Sequence, residues 1–191
     1  METDWEFELG PDEVGLAAPV IDAHWPGFVD LRCAPERAWH LPEAAHLPSL
    51  AGALAKLNSA YSPVWSSKCD FWPRLEADEL DAGELDAPPG CMAHAMGCYI
   101  DLLPRDDQGW AQPAMAEAVC KRVCDLLRTV PLGCCRADLV IRRAFITADR
   151  KDLGITAYLT TCGASSAEAE RTLAAALTAL TDALESHSTV E

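Results

Sequence analysis

The chain has 191 residues, 50% of them hydrophobic and 24% charged, a composition that folds into a packed domain and is too apolar for disorder. Thirty acids against 15 bases leave a net charge of −15, which argues against nucleic acid as a partner, because a phosphate backbone needs clustered lysine and arginine. No apolar run reaches the roughly 18 residues of a membrane span, and the acidic opening Met1–Glu6 lacks the basic and apolar segments of an export signal, so the expectation is a cytoplasmic protein with no membrane contact.

Residues 1–60 read as an irregular, Trp- and Pro-rich arm that lays tryptophans on the core. The stretch is broken by Pro11, Pro19, Pro26, Pro35, Pro42 and Pro48. Trp5-Glu6-Phe7-Glu8-Leu9 alternates apolar and acidic, and Phe28–Leu31 does so more loosely, so each is a candidate short or edge strand. Over 49–60, Leu50, Leu54 and Leu57 share a face behind Ser49 as a cap and predict a short helix.

Residues 62–73 form a strand candidate closed by Pro73. The next stretch repeats Glu-Leu-Asp-Ala at 79–82 and 84–87 and carries six acids and no base between 76 and 86, the pattern of a solvated loop. Residues 91–103, ending at Pro104, read as a buried strand. Pro113 suits the first turn of a helix along which Met115, Val119, Val123, Leu126, Leu127 and Val130 recur at helical spacing. Two strands, 137–147 and 155–162, flank a polar turn with Asp149, Arg150, Lys151, Asp152 and Gly154, as in a hairpin. Ser165 followed by Glu168 is a capping box, and Ala169, Leu173, Ala176, Leu177, Leu180 and Leu184 form the apolar stripe of a final helix.

From 91 onward the order is strand, helix, strand, strand, helix. With the strand at 62–72 placed antiparallel beside 91–103, the expectation is a ferredoxin-like α+β sandwich: βαββα plus a preceding strand, a four-stranded antiparallel sheet with two helices on one face. The domain would span 61–187, with 188–191 as a tail. That architecture hosts many activities and names none.

Residues 91–98, CMAHAMGC, pose the metal question. On a helix Cys91, His94 and Cys98 would stack on one face. On a strand His94 and Cys98 share a face roughly 13 Å apart and Cys91 points away, so no single ion reaches all three. Gly97, Tyr99 and Ile100 favour the strand, which leaves these three as weak metal candidates. Cys120 and Cys124, one helical turn apart, read as core; adjacent Cys134 and Cys135 are a weak signal. Nine cysteines without an export signal read as reduced thiols. His40 and His46 with Glu36 and Glu43 lie in the arm at no diagnostic spacing.

The charge is uneven. Residues 121–151 hold eight bases and three acids, an island in an otherwise acidic chain. Arg136 and Arg142 share one strand face and Arg143 takes the other, so this strand either offers a guanidinium fork to a carboxylate or phosphate or pairs with the chain's own acids, Asp70, Asp101 or the 76–86 loop. Trp65, Trp72 and Tyr99 with Lys68 and Asp70 could line a pocket on the sheet's open face. The candidate ligand-binding set is therefore Arg136, Arg142, Arg143, Lys68, Trp72 and Tyr99; the catalytic candidates are His94, Asp70 and Asp101.

No glycine-rich phosphate loop, nucleophile elbow or metalloprotease signature occurs, and no cofactor is expected. The first functional expectation is a non-catalytic cytosolic module that binds a small ligand, anions among the candidates, or a protein partner, or self-associates as a homo-oligomer. The alternatives are a small enzyme with an open-face pocket using His94 or a cysteine with Asp70, Asp101 and Arg142, and a metal-binding protein.

Overall fold

The computed structural model describes residues 1–9, 27–76, 80–105, 110, 112–147 and 150–186. Pro11, Pro19, Pro26, Asp78, Glu79, Asp149, the side chains of Arg150 and Lys151, and the tail 188–191 lie outside the described set. In chain order the elements are β1 (Glu2–Glu8), a 3-10 turn (Pro35–His40), α1 (Pro42–Ala45), α2 (Pro48–Leu57), β2 (Val64–Trp72), β3 (His94–Pro104), α3 (Pro113–Arg128), β4 (Cys135–Thr147), β5 (Arg150–Gly163) and α4 (Ser166–Glu185).

These strands form one five-stranded mixed sheet in the order β1-β4-β5-β3-β2, which corrects the expected four-stranded antiparallel ferredoxin-like arrangement. β4, β5, β3 and β2 pair antiparallel with their neighbours. The departure is β1, which lies parallel beside β4 with Glu2 opposite Arg136 and Glu8 opposite Arg142. Two sets of contacts hold it there. On one face its acids meet the arginines of β4; on the other, Thr3 and Trp5 turn toward α3, where the Thr3 hydroxyl donates to the Cys124 carbonyl at 3.5 Å, Arg128 donates to the Thr3 carbonyl at 3.0 Å, and the Lys121 ammonium sits 5.3 Å over the Trp5 ring.

The helix layer also departs from the expected pair. Leu50, Leu54 and Leu57 of α2 enter the same buried cluster as Val119, Val123 and Leu127 of α3 and Leu173, Leu177 and Leu180 of α4. From the sheet this cluster takes Met96, Cys98, Ile100 and Leu102 of β3, Ala137, Leu139 and Ile141 of β4, and Ile155, Ala157 and Leu159 of β5. Those residues alternate along each strand, so all three longer helices cover one sheet face. On α3 the buried positions are Ala116, Val119, Cys120, Val123, Cys124 and Leu127. Met115 is 44% exposed, so the stripe is turned by one residue from the expected one, and two cysteines complete it as small apolar groups.

α4 begins as its sequence dictates. The Ser165 side chain accepts from the Glu168 N–H, a donor of the first turn, and the Glu168 carboxylate accepts at 3.0 Å from the N–H of Ala164, the residue before the cap. Phe28–Leu31 forms no strand; Leu31 is buried in the main cluster. Of the arm's tryptophans, Trp5 packs on the core while Trp39 is 56% exposed.

The second face of the sheet is partly covered. Leu75, Leu80, Leu85, Ala87 and Met92, from the segment between β2 and β3, pack on Ala95 and Cys162 at one end, so the stretch expected as a solvated loop is anchored by its leucines.

Candidate functional site

The second sheet face is polar, and the pairing registers give its content row by row. One cross-strand row reads Asp4, Asp138, Tyr158, Tyr99, Asp70, from β1 through β4, β5 and β3 to β2. Two phenols occupy its middle and carboxylates both ends. The row on one side reads Glu6, Val140, Thr156, Asp101; the row on the other reads Glu2, Arg136, Thr160, Gly97, Trp72. Same-face neighbours in adjacent strands stand about 5 Å apart, so these side chains form a continuous surface.

The aromatic rings touch in line. Trp72 and Tyr99 have centroids 5.7 Å apart, Tyr99 and Tyr158 5.9 Å, and the Arg142 guanidinium lies 5.6 Å over the Tyr158 ring. Gly97 makes room: a Cβ there would come within 3.0 Å of the Leu159 carbonyl and 3.6 Å of the Trp72 ring. Burial, together with the nearby Asp101 and Asp70 charges, pushes the Tyr99 phenol up to about 12, so it stays neutral as a hydrogen-bonding and ring surface.

A groove of about 430 Å³ opens where β1, β4 and β5 meet, lined by Asp4, Glu6, Arg136, Asp138, Arg142 and Tyr158 among others. Its arginines are engaged. Arg136 Nε donates to both Asp138 oxygens at 2.8 and 2.9 Å, while its terminal nitrogens lie 3.3 Å from Glu84 and 3.9 Å from Asp4. Arg142 donates to Glu8 at 2.8 Å and to the Tyr158 hydroxyl at 3.0 Å. Burial opposes the Arg142 charge, but Tyr158 and Glu8 outweigh it and raise its pKa. The arginine side chains are 23% and 15% exposed, the carboxylates of Asp4, Glu8 and Glu84 about 60% or more, so what faces solvent is negative.

At the centre of the face lies a buried ion pair. Asp101, 1% exposed, accepts from the Thr156 hydroxyl at 2.6 Å, and its other oxygen stands 3.5 Å from the Lys68 ammonium, itself 12% exposed. Burial pushes the Asp101 carboxyl up, against the pull of Thr156 and Lys68.

The candidate residues from sequence thus fall in three places. Arg136, Arg142, Lys68, Trp72, Tyr99, Asp70 and Asp101 share this face. Arg143 is exposed on the other face of β4, and His94 is exposed at the start of β3, away from the Asp101 row. Cys98 is buried in the main core and Cys91 precedes the strand, so Cys91, His94 and Cys98 do not converge. Among the described residues, no three His, Cys, Asp or Glu side chains are set to hold a metal ion. Burial raises the thiols of Cys98 and Cys120 and pushes Cys69, Cys135 and Cys162 up to about 12, the reverse of an activated nucleophile. No helix among the described residues is long and apolar enough to cross a membrane.

Sequence reasoning missed Asp4, Glu6, Asp138 and Tyr158. Acids at every second position of β1 were a signal that one face of that strand is charged; only the register shows that they meet Asp138 and the tyrosines. Comparison with protein-family models finds none that matches this chain, and no curated protein and no solved structure matches it.

Proposed function

We propose that this chain is a non-catalytic cytosolic binding module whose second sheet face receives a positively charged, extended segment of a protein partner. The observation that carries this is the row Asp4, Asp138, Tyr158, Tyr99, Asp70, two aromatic faces between carboxylates on a groove whose arginines are already held by the protein's own acids. Cationic side chains gain from both ring faces and carboxylates, whereas an anion would have to displace Glu8, Asp138 or Glu84 first. The face is open next to β1, an edge strand, where an extended chain has room to lie.

A cytosolic setting is supported by nine unpaired cysteines, five of them buried. A net charge of −15 disfavours nucleic acid and draws basic partners. Self-association is a second reading, favoured by an apolar groove of about 350 Å³ between α3 and α4 lined by Leu126, Val130, Ala175, Ala179 and Ala183.

The test is calorimetry with a ten-residue lysine-rich peptide and its glutamate counterpart. The lysine peptide binds, the glutamate peptide does not, and Tyr99→Leu weakens binding about fivefold, the worth of one cation–π contact of about 1 kcal/mol. Equal binding of both peptides, or none of either, rejects the proposal.

A further inference from the structure

A cavity of about 250 Å³ lies between β2, the sheet edge opposite β1, and the arm segments 27–31 and 41–43. Its arm side is largely apolar, with Phe28, Val29, Leu31 and Leu41; its strand side is polar, with Ser66, Ser67 and Lys68, and Glu43 of α1 joins them. Tyr99 also lines it, so the cavity borders the charged face without being part of the groove at β1.

A bulge makes the polar side. Ser66 pairs with Leu102 and Cys69 with Ile100, so Ser67 and Lys68 together stand opposite Asp101. An extra residue of this kind breaks the period-2 alternation of a strand and re-aims its side chains. Lys68 thereby lines the cavity while its ammonium stands 3.5 Å from the buried Asp101 carboxylate.

Two buried acceptors next to these residues, Asp101 Oδ2 and Asn58 Oδ1, make no hydrogen bond among the described residues. Asn58 donates its amide to the Leu54 carbonyl at 2.8 Å and to the Ser66 hydroxyl at 2.7 Å, and both of those residues line the cavity. Acceptors buried without a donor are costly, so a guest that brings a proton donor gains here. The charges select its type. Lys68 is set against Asp101 and Glu43, which leaves no surplus positive charge for an anion, and a cationic guest would meet the Lys68 ammonium. An uncharged molecule with an apolar body and a hydroxyl suits every wall: its rings lie on the arm side, its oxygen accepts from Lys68 or a serine, and its proton goes to Glu43 or a buried acceptor. The volume equals that of about eight waters at roughly 30 Å³ each, room for two fused aromatic rings.

We propose that the cavity between β2 and the arm is a binding site for a small, uncharged, hydroxylated aromatic compound, held at its polar side by Lys68 and Glu43. The site does not depend on what the charged face binds.

The test is calorimetry on the full chain with three probes of one ring system: 2-naphthol, 2-methoxynaphthalene, which lacks the donor, and the anion 2-naphthoate. The expected result is one-to-one binding of 2-naphthol, about fivefold weaker binding of the methyl ether, the worth of one hydrogen bond, and at least about tenfold weaker binding of the anion. Amide shifts caused by 2-naphthol centre on Val29, Ser67 and Lys68. Val29→Trp fills the cavity and abolishes binding; where that variant does not fold, Glu43→Ala, on the short helix α1, weakens 2-naphthol about fivefold and leaves the ether unchanged. No saturable binding of 2-naphthol, equal binding of all three probes, or shifts centred on the α3–α4 groove or on Asp4 and Asp138 overturn the proposal.

Discussion

Lys68→Met removes the ammonium 3.5 Å from the Asp101 carboxylate and leaves a charge that is 1% exposed. At an effective dielectric of about 20 the pair attracts by on the order of 5 kcal/mol before desolvation is subtracted. Breaking such a pair usually costs about 3 to 5 kcal/mol. Protonation caps the loss: at pH 7, putting a proton on a carboxyl of ordinary pKa about 3.9 costs about 4 kcal/mol, and about 1.4 kcal/mol less for each pH unit below that. The expected loss is therefore about 3 to 4 kcal/mol at pH 7 and no more than about 1.5 kcal/mol at pH 5. The sign follows from direction. Burial already raises the folded-state pKa of Asp101, and removing Lys68 raises it further, so its contribution to stability is present below the ordinary carboxyl range and lost as pH rises through the folded value. Urea unfolding followed by circular dichroism at pH 5, 6 and 7 measures this. Lys68→Met/Asp101→Asn should recover most of the loss at pH 7, because asparagine still accepts the Thr156 bond without a charge. A loss that does not change with pH, or a double variant no more stable than the single, refutes the reasoning.

Ser165→Ala removes the acceptor for the Glu168 N–H and should cost about 1 kcal/mol in thermal or urea unfolding. Cys120→Ser places a hydroxyl in the main core and should cost about 1 to 3 kcal/mol, against less than about 0.5 kcal/mol for Met115→Ala on the exposed side of α3; the reverse order would move the buried stripe back to the methionine. Gly163→Ala puts a methyl 2.8 Å from the Ala169 nitrogen and 2.9 Å from the Glu168 Cβ, so a lower melting temperature, worth about 1 to 3 kcal/mol, is expected from calorimetric scanning.

Local signals in the sequence carried further than pairing signals. The capping box at Ser165, proline at the first turn of α3 and the branched runs of β4 and β5 each encode their element within a few residues, although β5 begins at Arg150, inside the stretch expected as a polar turn. The partner of β1 is specified 134 residues away, by Arg136 and Arg142 meeting alternate acids, and period-2 alternation says that a strand has a charged face without saying which strand it faces. The described part of the acidic stretch, 80–86, is a turn-rich and largely exposed loop, as its charge implies, and Leu80 and Leu85 anchor it to the sheet. On α3 Val119, Val123 and Leu127 lie in the buried stripe, and Ala116, Cys120 and Cys124 complete it in place of the exposed Met115. As for the site, Tyr99, Trp72, Lys68 and Asp70 were legible from the parity of two strands. Asp138 and Tyr158 became legible only once the register set β4 beside β5.

The most direct test of the charged face as a receptor for a basic segment is amide chemical-shift mapping of the labelled chain titrated with the lysine-rich peptide. Shifts concentrated at Asp4, Asp138, Tyr158, Tyr99 and Asp70, and absent with the glutamate peptide, are the predicted result; shifts centred on the α3–α4 groove, or spread evenly over every exposed acid, would contradict it.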